Sequence, residues 1–121
     1  MSNENTFLAV FTGNKTGTRF KEWETMPEAT RNTKMKEGIA AWKGWMEKNS
    51  ASVVVMGGPL GKTKKISPSG IEDISNLLTG FVVVKAGSPD AAAKMFERHP
   101  HFTIFPGEAV EVMPVLPIPA G

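Results

Sequence analysis

His99 and His101, separated by Pro100, are the only histidines of this chain. Imidazole exchanges its proton near neutrality, so any general acid–base role for imidazole must use this pair. The chain has no cysteine, which removes thiolate nucleophiles, disulfides, Cys-based zinc sites and Fe–S clusters. A metal bound by two histidines needs a third or fourth ligand, and only a carboxylate such as Glu108 or Glu111 remains to supply it. We therefore expect no metal and no cofactor. If one of these glutamates returned to orient a ring, it would favour the imidazolium and raise its pKa. The competing reading is structural. His99 would end a helix with a partly cationic ring at the negative end of the dipole, and His101 would hydrogen-bond within its loop.

The ligand-binding candidates are Trp42, Gly58, Pro59, Phe102 and Glu111, beside catalytic candidates His101 and His99. Trp42, Trp45, Met35 and Met46 either line a pocket between a helix and a sheet or simply form core. Phe102 and Phe105 follow the histidines and either shield a pocket from water or pack a loop on the core. Gly57-Gly58-Pro59-Leu60-Gly61 lacks the spacing of a phosphate loop and opens no helix. Lys62, Lys64 and Lys65 form a small basic cluster that could hold an anion or remain solvated. The chemistry on offer places a polar ligand by His99 and His101 rather than at the Gly-Pro-Leu turn.

The elements that must position these residues follow from hydrophobic pattern. Phe7–Phe11 is a continuous apolar run closed by Thr12-Gly13-Asn14, as a buried strand is closed. Residues 13–25 are polar and read as a loop, with Phe20 and Trp23 as anchors. Pro27-Glu28 suits a helix start. Met35, Ile39, Trp42 and Met46 recur at helical spacing, which predicts a first helix over about 27–48. Gly38 and Gly44 weaken it, which suggests close packing there. Val53–Met56 reads as a second strand, and residues 60–76 as a short hairpin or irregular excursion. Phe81–Val84 makes a third strand. Ser88-Pro89-Asp90 starts a second helix that runs to about Arg98 and is stopped by Pro100. Val110–Met113 is a fourth strand, and Pro114, Pro117 and Pro119 make the tail an extended arm.

This β-α-β-β-α-β order is the ferredoxin-like split βαβ plan, an α+β fold with an antiparallel sheet and two helices on one face. The strands are apolar without clean alternation, so both sheet faces need cover, and a second copy of the sheet would cover the free one. With 121 residues, the chain is one domain over 1–121, with flexible ends at about 1–6 and 116–121. A net charge of +2 is too small to argue for a nucleic-acid partner. The N-terminus lacks a secretory pattern, and no apolar run approaches membrane length, so a soluble cytoplasmic protein with no membrane partner is expected.

Several segments in order resemble one family: Ala41-Trp42 with Trp45, Gly57–Gly61, Leu78–Val83, Ala86–Ala92, His99-Pro100-His101 and Val110–Pro114. The set resembles the YCII-related proteins, including the branch with DGPF motifs, over about residues 7–115. The resemblance implies a dimeric α+β barrel in which two ferredoxin-like subunits pair their sheets. For the family's enzyme-like members it also implies an Asp–His pair, the His on or near the first helix and the Asp after the Gly-Pro-Leu turn. This chain departs there. Its first helix has no His, Gly61-Lys62-Thr63 follows the turn, and Pro68-Ser69-Gly70-Ile71 replaces the DGPF stretch.

Two readings of function follow. One is a homodimeric α+β barrel that binds an unidentified small molecule or serves as an accessory subunit. The alternative is a cofactor-independent enzyme using His101 or His99 in the barrel cleft. A remote third, an RNA-recognition module, shares the element order and needs exposed aromatics with a basic surface.

Overall fold

The structure is a computed structural model that describes residues 5–119. Its elements run β1 (Thr6–Thr12), α1 (Thr18–Thr25), α2 (Glu28–Lys48), β2 (Val53–Pro59), β3 (Thr63–Ser67), β4 (Gly70–Ile74), β5 (Leu78–Lys85), α3 (Pro89–Lys94), α4 (Pro100–Thr103) and β6 (Ala109–Pro114). The main sheet has the order β2-β5-β1-β6 and every pairing is antiparallel. This is the ferredoxin-like arrangement expected from the element order. The β3–β4 hairpin forms a separate two-stranded sheet between the second and third core strands.

Register divides the sheet into two faces. Phe7, Ala9 and Phe11 of β1 pair with Val84, Val82 and Gly80 of β5, and with Pro114, Val112 and Val110 of β6. Directly opposed residues share a face, and this face carries the core: Phe7, Ala9, Phe11, Val82 and Val84, closed by Ala92 of α3 and Phe96. Trp42, Trp45 and Met46 of α2 pack against that cluster. The other face carries Leu8 and Val10 opposite Val83 and Phe81, with Met113 and Glu111 on β6. Val55 of β2 pairs with Val83. Phe81 is the one aromatic among these paired positions and is half-buried, so the face lacks the stacking platform an RNA-recognition module uses.

Four expectations change. Residues 13–25 are not all loop, because Thr18–Thr25 is helical. The second helix is shorter than expected: α3 ends at Lys94, Arg98 takes a left-handed φ of 58°, and Pro100 begins α4 instead of stopping a helix. That reversal at Arg98 turns His99 inward. Ser88 does cap α3 as expected, its hydroxyl accepting from the Ala91 N–H at 3.0 Å. Gly38 is a close contact, since a side-chain carbon there would overlap the Phe105 ring, whereas Gly44 has open space around it. Met35 and Ile39 are 44% and 50% exposed, so the buried stripe of α2 is narrower than its spacing suggests.

The expected flexible ends lie partly outside the described residues. Within them, Thr6 already belongs to β1, and Val115–Pro119 is exposed and has no regular secondary structure. Among the described residues no helix is long and apolar enough to cross a membrane.

Candidate functional site

His99 and His101 are both buried, His99 fully and His101 to 7% exposure. His99 precedes α4 as its N-cap, and its Nδ1 accepts from the His101 backbone N–H at 3.0 Å. An accepting Nδ1 leaves the neutral ring's proton on Nε2, and His99 Nε2 has no hydrogen-bond partner among the described residues. The ring stands edge-on to Trp42 at 4.6 Å and to Trp45 at 5.0 Å, with Phe11 at 5.1 Å and Phe96 at 5.9 Å. Burial in this aromatic enclosure, with His101 beside it, pushes the His99 pKa down to about 4. The cationic helix-ending role expected for His99 is therefore wrong. The ring is neutral, buried and at a helix start.

His101 has a different environment. Its Nε2 donates to the Thr12 carbonyl at 2.7 Å, which fixes the tautomer and leaves Nδ1 with the lone pair. Nδ1 makes no hydrogen bond among the described residues, and it is not one of the sealed, unpaired polar atoms, which are Arg31 Nε and His99 Nε2. Burial lowers the His101 pKa, the bond to Thr12 opposes this, and the Arg19 charge lowers it further.

The backbone around His101 is built for that ring. The β1–β5 register shifts between Phe11 and Thr12. The Thr12 carbonyl also accepts from the Glu108 N–H at 2.9 Å, so one oxygen ties β1 to both the histidine and the approach to β6. At Gly107 any side-chain carbon would overlap the His101 ring, so only glycine fits. Arg19 of α1 donates from Nε to the Gly107 carbonyl at 2.8 Å and from its guanidinium to the Phe102 carbonyl. Trp23 of α1 lies 6.1 Å from the Phe105 ring. Thr12, Arg19 and Gly107 thus position the candidate residue. Their roles depend on backbone atoms and close approach, for which sequence carries no motif.

His101 lines a broad groove with a volume of about 1670 Å³. α2 contributes Ile39, Trp42 and Met46, the end of β2 contributes Gly58 and Pro59 with Leu60 following, and Phe20 and Phe105 add aromatic wall. Of the expected site residues, the groove brings together His101, Trp42, Gly58 and Pro59. His101 and the Gly-Pro-Leu segment, set as alternatives by the sequence, border the same space, and His99 does not line it. Trp42 is half-buried because it serves core and groove at once.

Phe102 faces a separate, shallower depression with Phe96, Val110 and Val112. Glu111 pairs with Val10, on the sheet face away from the core. It therefore does not orient a histidine, and the pKa shifts run downward, opposite to what a carboxylate would cause. Among the described residues no three His, Asp or Glu side chains gather as metal ligands.

No protein-family model matches the chain. No curated protein matches it either. Among solved structures, the fold is similar to that of 5-chloro-2-hydroxyhydroquinone dehydrochlorinase (TftG) from Burkholderia phenoliruptrix AC1100, in its complex with 2,5-dihydroxybenzoquinone. The TM-score is 0.51 at 19% identity, covering 89% of this chain and 90% of that one. The likeness concerns the fold.

Proposed function

We propose that this chain is a small-molecule-binding protein that works as a homodimer of the YCII-related, dimeric α+β barrel kind, with its ligand in the groove beside His101. The observation that carries the reading is one polar atom in an aromatic setting. His101 Nδ1 makes no hydrogen bond among the described residues, and His101 lines a groove walled by Trp42, Phe20 and Phe105. A concave, largely apolar site with few fixed polar groups is the usual form of a small-molecule site. The similar dehydrochlorinase, whose structure holds a quinone, supports a small-molecule role.

The test is NMR observation of both imidazoles and the Trp42 indole while a fragment library is added. Hydroxyl-bearing fragments are expected to shift His101 Nδ1 and Trp42 together, and His101→Ala to lose the response. Shifts confined to other surfaces, or none, would leave an accessory or structural subunit as the function.

A second reading, a cofactor-independent enzyme, is favoured by the tautomer. A neutral imidazole held at Nε2 presents Nδ1 as a general base, and such groups contribute roughly 10²–10⁴-fold. If a bound compound turns over, His101→Gln should reduce its kcat by about that factor while binding persists.

Dimerisation rests on the free sheet face. Val55 and Met113 are 46% and 38% exposed there, and Leu116 and Ile118 of the tail are 75% and 93% exposed. Apolar surface gathered in this way marks an association site. Light scattering at micromolar concentration is expected to give twice the chain mass of 13.1 kDa. A mass of one chain would refute the assembly.

A further inference from the structure

The charged side chains bordering the groove are Lys15, Lys43, Lys62, Lys64 and Asp73, and no glutamate joins them. Lys64 and Asp73 pair at 2.6 Å across the β3–β4 hairpin and cancel. Lys15, Lys43 and Lys62 have no ion-pair partner among the described residues. They come from three separate places in the chain: the loop after β1, α2, and the segment leading into β3. The groove thus holds an excess of three positive charges, while the entire chain has an excess of only two. The side chains outside it sum to one negative charge, so the groove carries the positive excess of the chain. A concave, low-dielectric wall focuses such a field on whatever enters.

We infer that the groove selects a small planar organic anion that also carries a hydroxyl group. The inference rests on the small-molecule reading above and names the ligand class of the same site. Each chemical feature has a counterpart on the wall. The planar body meets Trp42, Phe20 and Phe105, the hydroxyl donates to His101 Nδ1, and the negative charge lies within the field of the three lysines. Burial holds the His101 pKa below its usual value, which favours the ring with Nδ1 unprotonated.

The experiment compares para-hydroxybenzoate with its uncharged analogue para-hydroxybenzamide, and with benzoate, which lacks the hydroxyl. Binding is read by Trp42 indole shifts in the full chain. Para-hydroxybenzoate should bind about tenfold more tightly than the amide, since three exposed lysines each contribute a fraction of a kcal/mol. The preference should shrink as salt is raised. The triple variant Lys15→Gln, Lys43→Gln, Lys62→Gln should bring the two affinities together without weakening the amide. Lys85→Gln, at the far end of β5 and outside the groove, should leave the preference intact. Benzoate should bind more weakly than para-hydroxybenzoate to wild type and equally to His101→Ala.

Equal binding of anion and amide by the wild-type protein would overturn the inference while leaving a small-molecule groove. A preference that survives the triple variant would overturn it too. Absence of any Trp42 response to all three probes would remove the groove reading and the inference together.

Discussion

Phe11→Ala should lower the unfolding free energy by about 3–5 kcal/mol, the usual cost of removing a buried phenylalanine from a core. Phe11 is 3% exposed and stands at the centre of the aromatic cluster, in contact with Trp42, Phe96, His99 and His101. Its loss opens a void that rigid rings on four sides cannot collapse to fill. Phe11→Leu keeps most of the volume and should cost about 1 kcal/mol. Denaturant midpoints with an unchanged slope measure both. A small loss for the alanine variant would mean that the cluster is not the core of the fold. The same variants bear on the site, because Phe11 packs against both histidines and also borders the groove.

Acidification is the second large effect. His99 in the folded chain has its pKa lowered from 6.5 to about 4. As pH falls, the unfolded chain takes up the proton first, so protonation favours unfolding. Stability held at neutral pH is therefore lost progressively between about pH 6.5 and 4, and the loss levels off below. His99 is fully buried, and a lowering of this size corresponds to a loss of at most about 3 kcal/mol. His101 is shifted in the same direction and adds to the slope. Urea midpoints measured across this range in the wild type and in His99→Met test it. The variant forgoes the cap to the His101 N–H and should be less stable at pH 7, yet its decline toward pH 4 should be markedly shallower. An identical acid limb in both proteins would assign the loss to other groups.

These two effects share a cause that bears on function. The histidines look alike in sequence, but the chain reversal at Arg98 and the short α4 give them different neighbours. His99 is held among four aromatic rings, where its unpaired Nε2 has no access to a ligand. His101 is tied by one nitrogen to Thr12 and keeps the other. The two imidazoles are thus one ring sealed in the aromatic core and one whose Nδ1 makes no hydrogen bond among the described residues.

Local chemistry was enough to determine the four core strands, the long α2, the Ser88 cap and the split βαβ order. Continuous apolar runs and a helical stripe of Trp and Met leave few other ways to bury the same surface. The β3–β4 hairpin was visible as a possibility through its turn residues. α1 was not legible, because none of Thr18–Thr25 is buried and the helix is held from outside, through Arg19 and Trp23. The break after Lys94 was not legible either, since Met95, Phe96 and Arg98 continue a helix-compatible pattern while the backbone tightens to i→i−3 hydrogen bonds from Met95 and then turns left-handed at Arg98.

The surroundings of the histidines were decided by tertiary structure alone. Glu111 is ten residues from His101, near enough in sequence to suggest a partner. Yet strand pairing sets it opposite Val10 on the other face of the sheet. A strand alternates its side chains, so a single step of register decides between a carboxylate beside the imidazole and one across the sheet from it. The same holds for the groove. Lys15, Lys43 and Lys62 are unremarkable where they stand in the chain, and only the return of α2 and of the hairpin past the loop after β1 gathers their charge around one space.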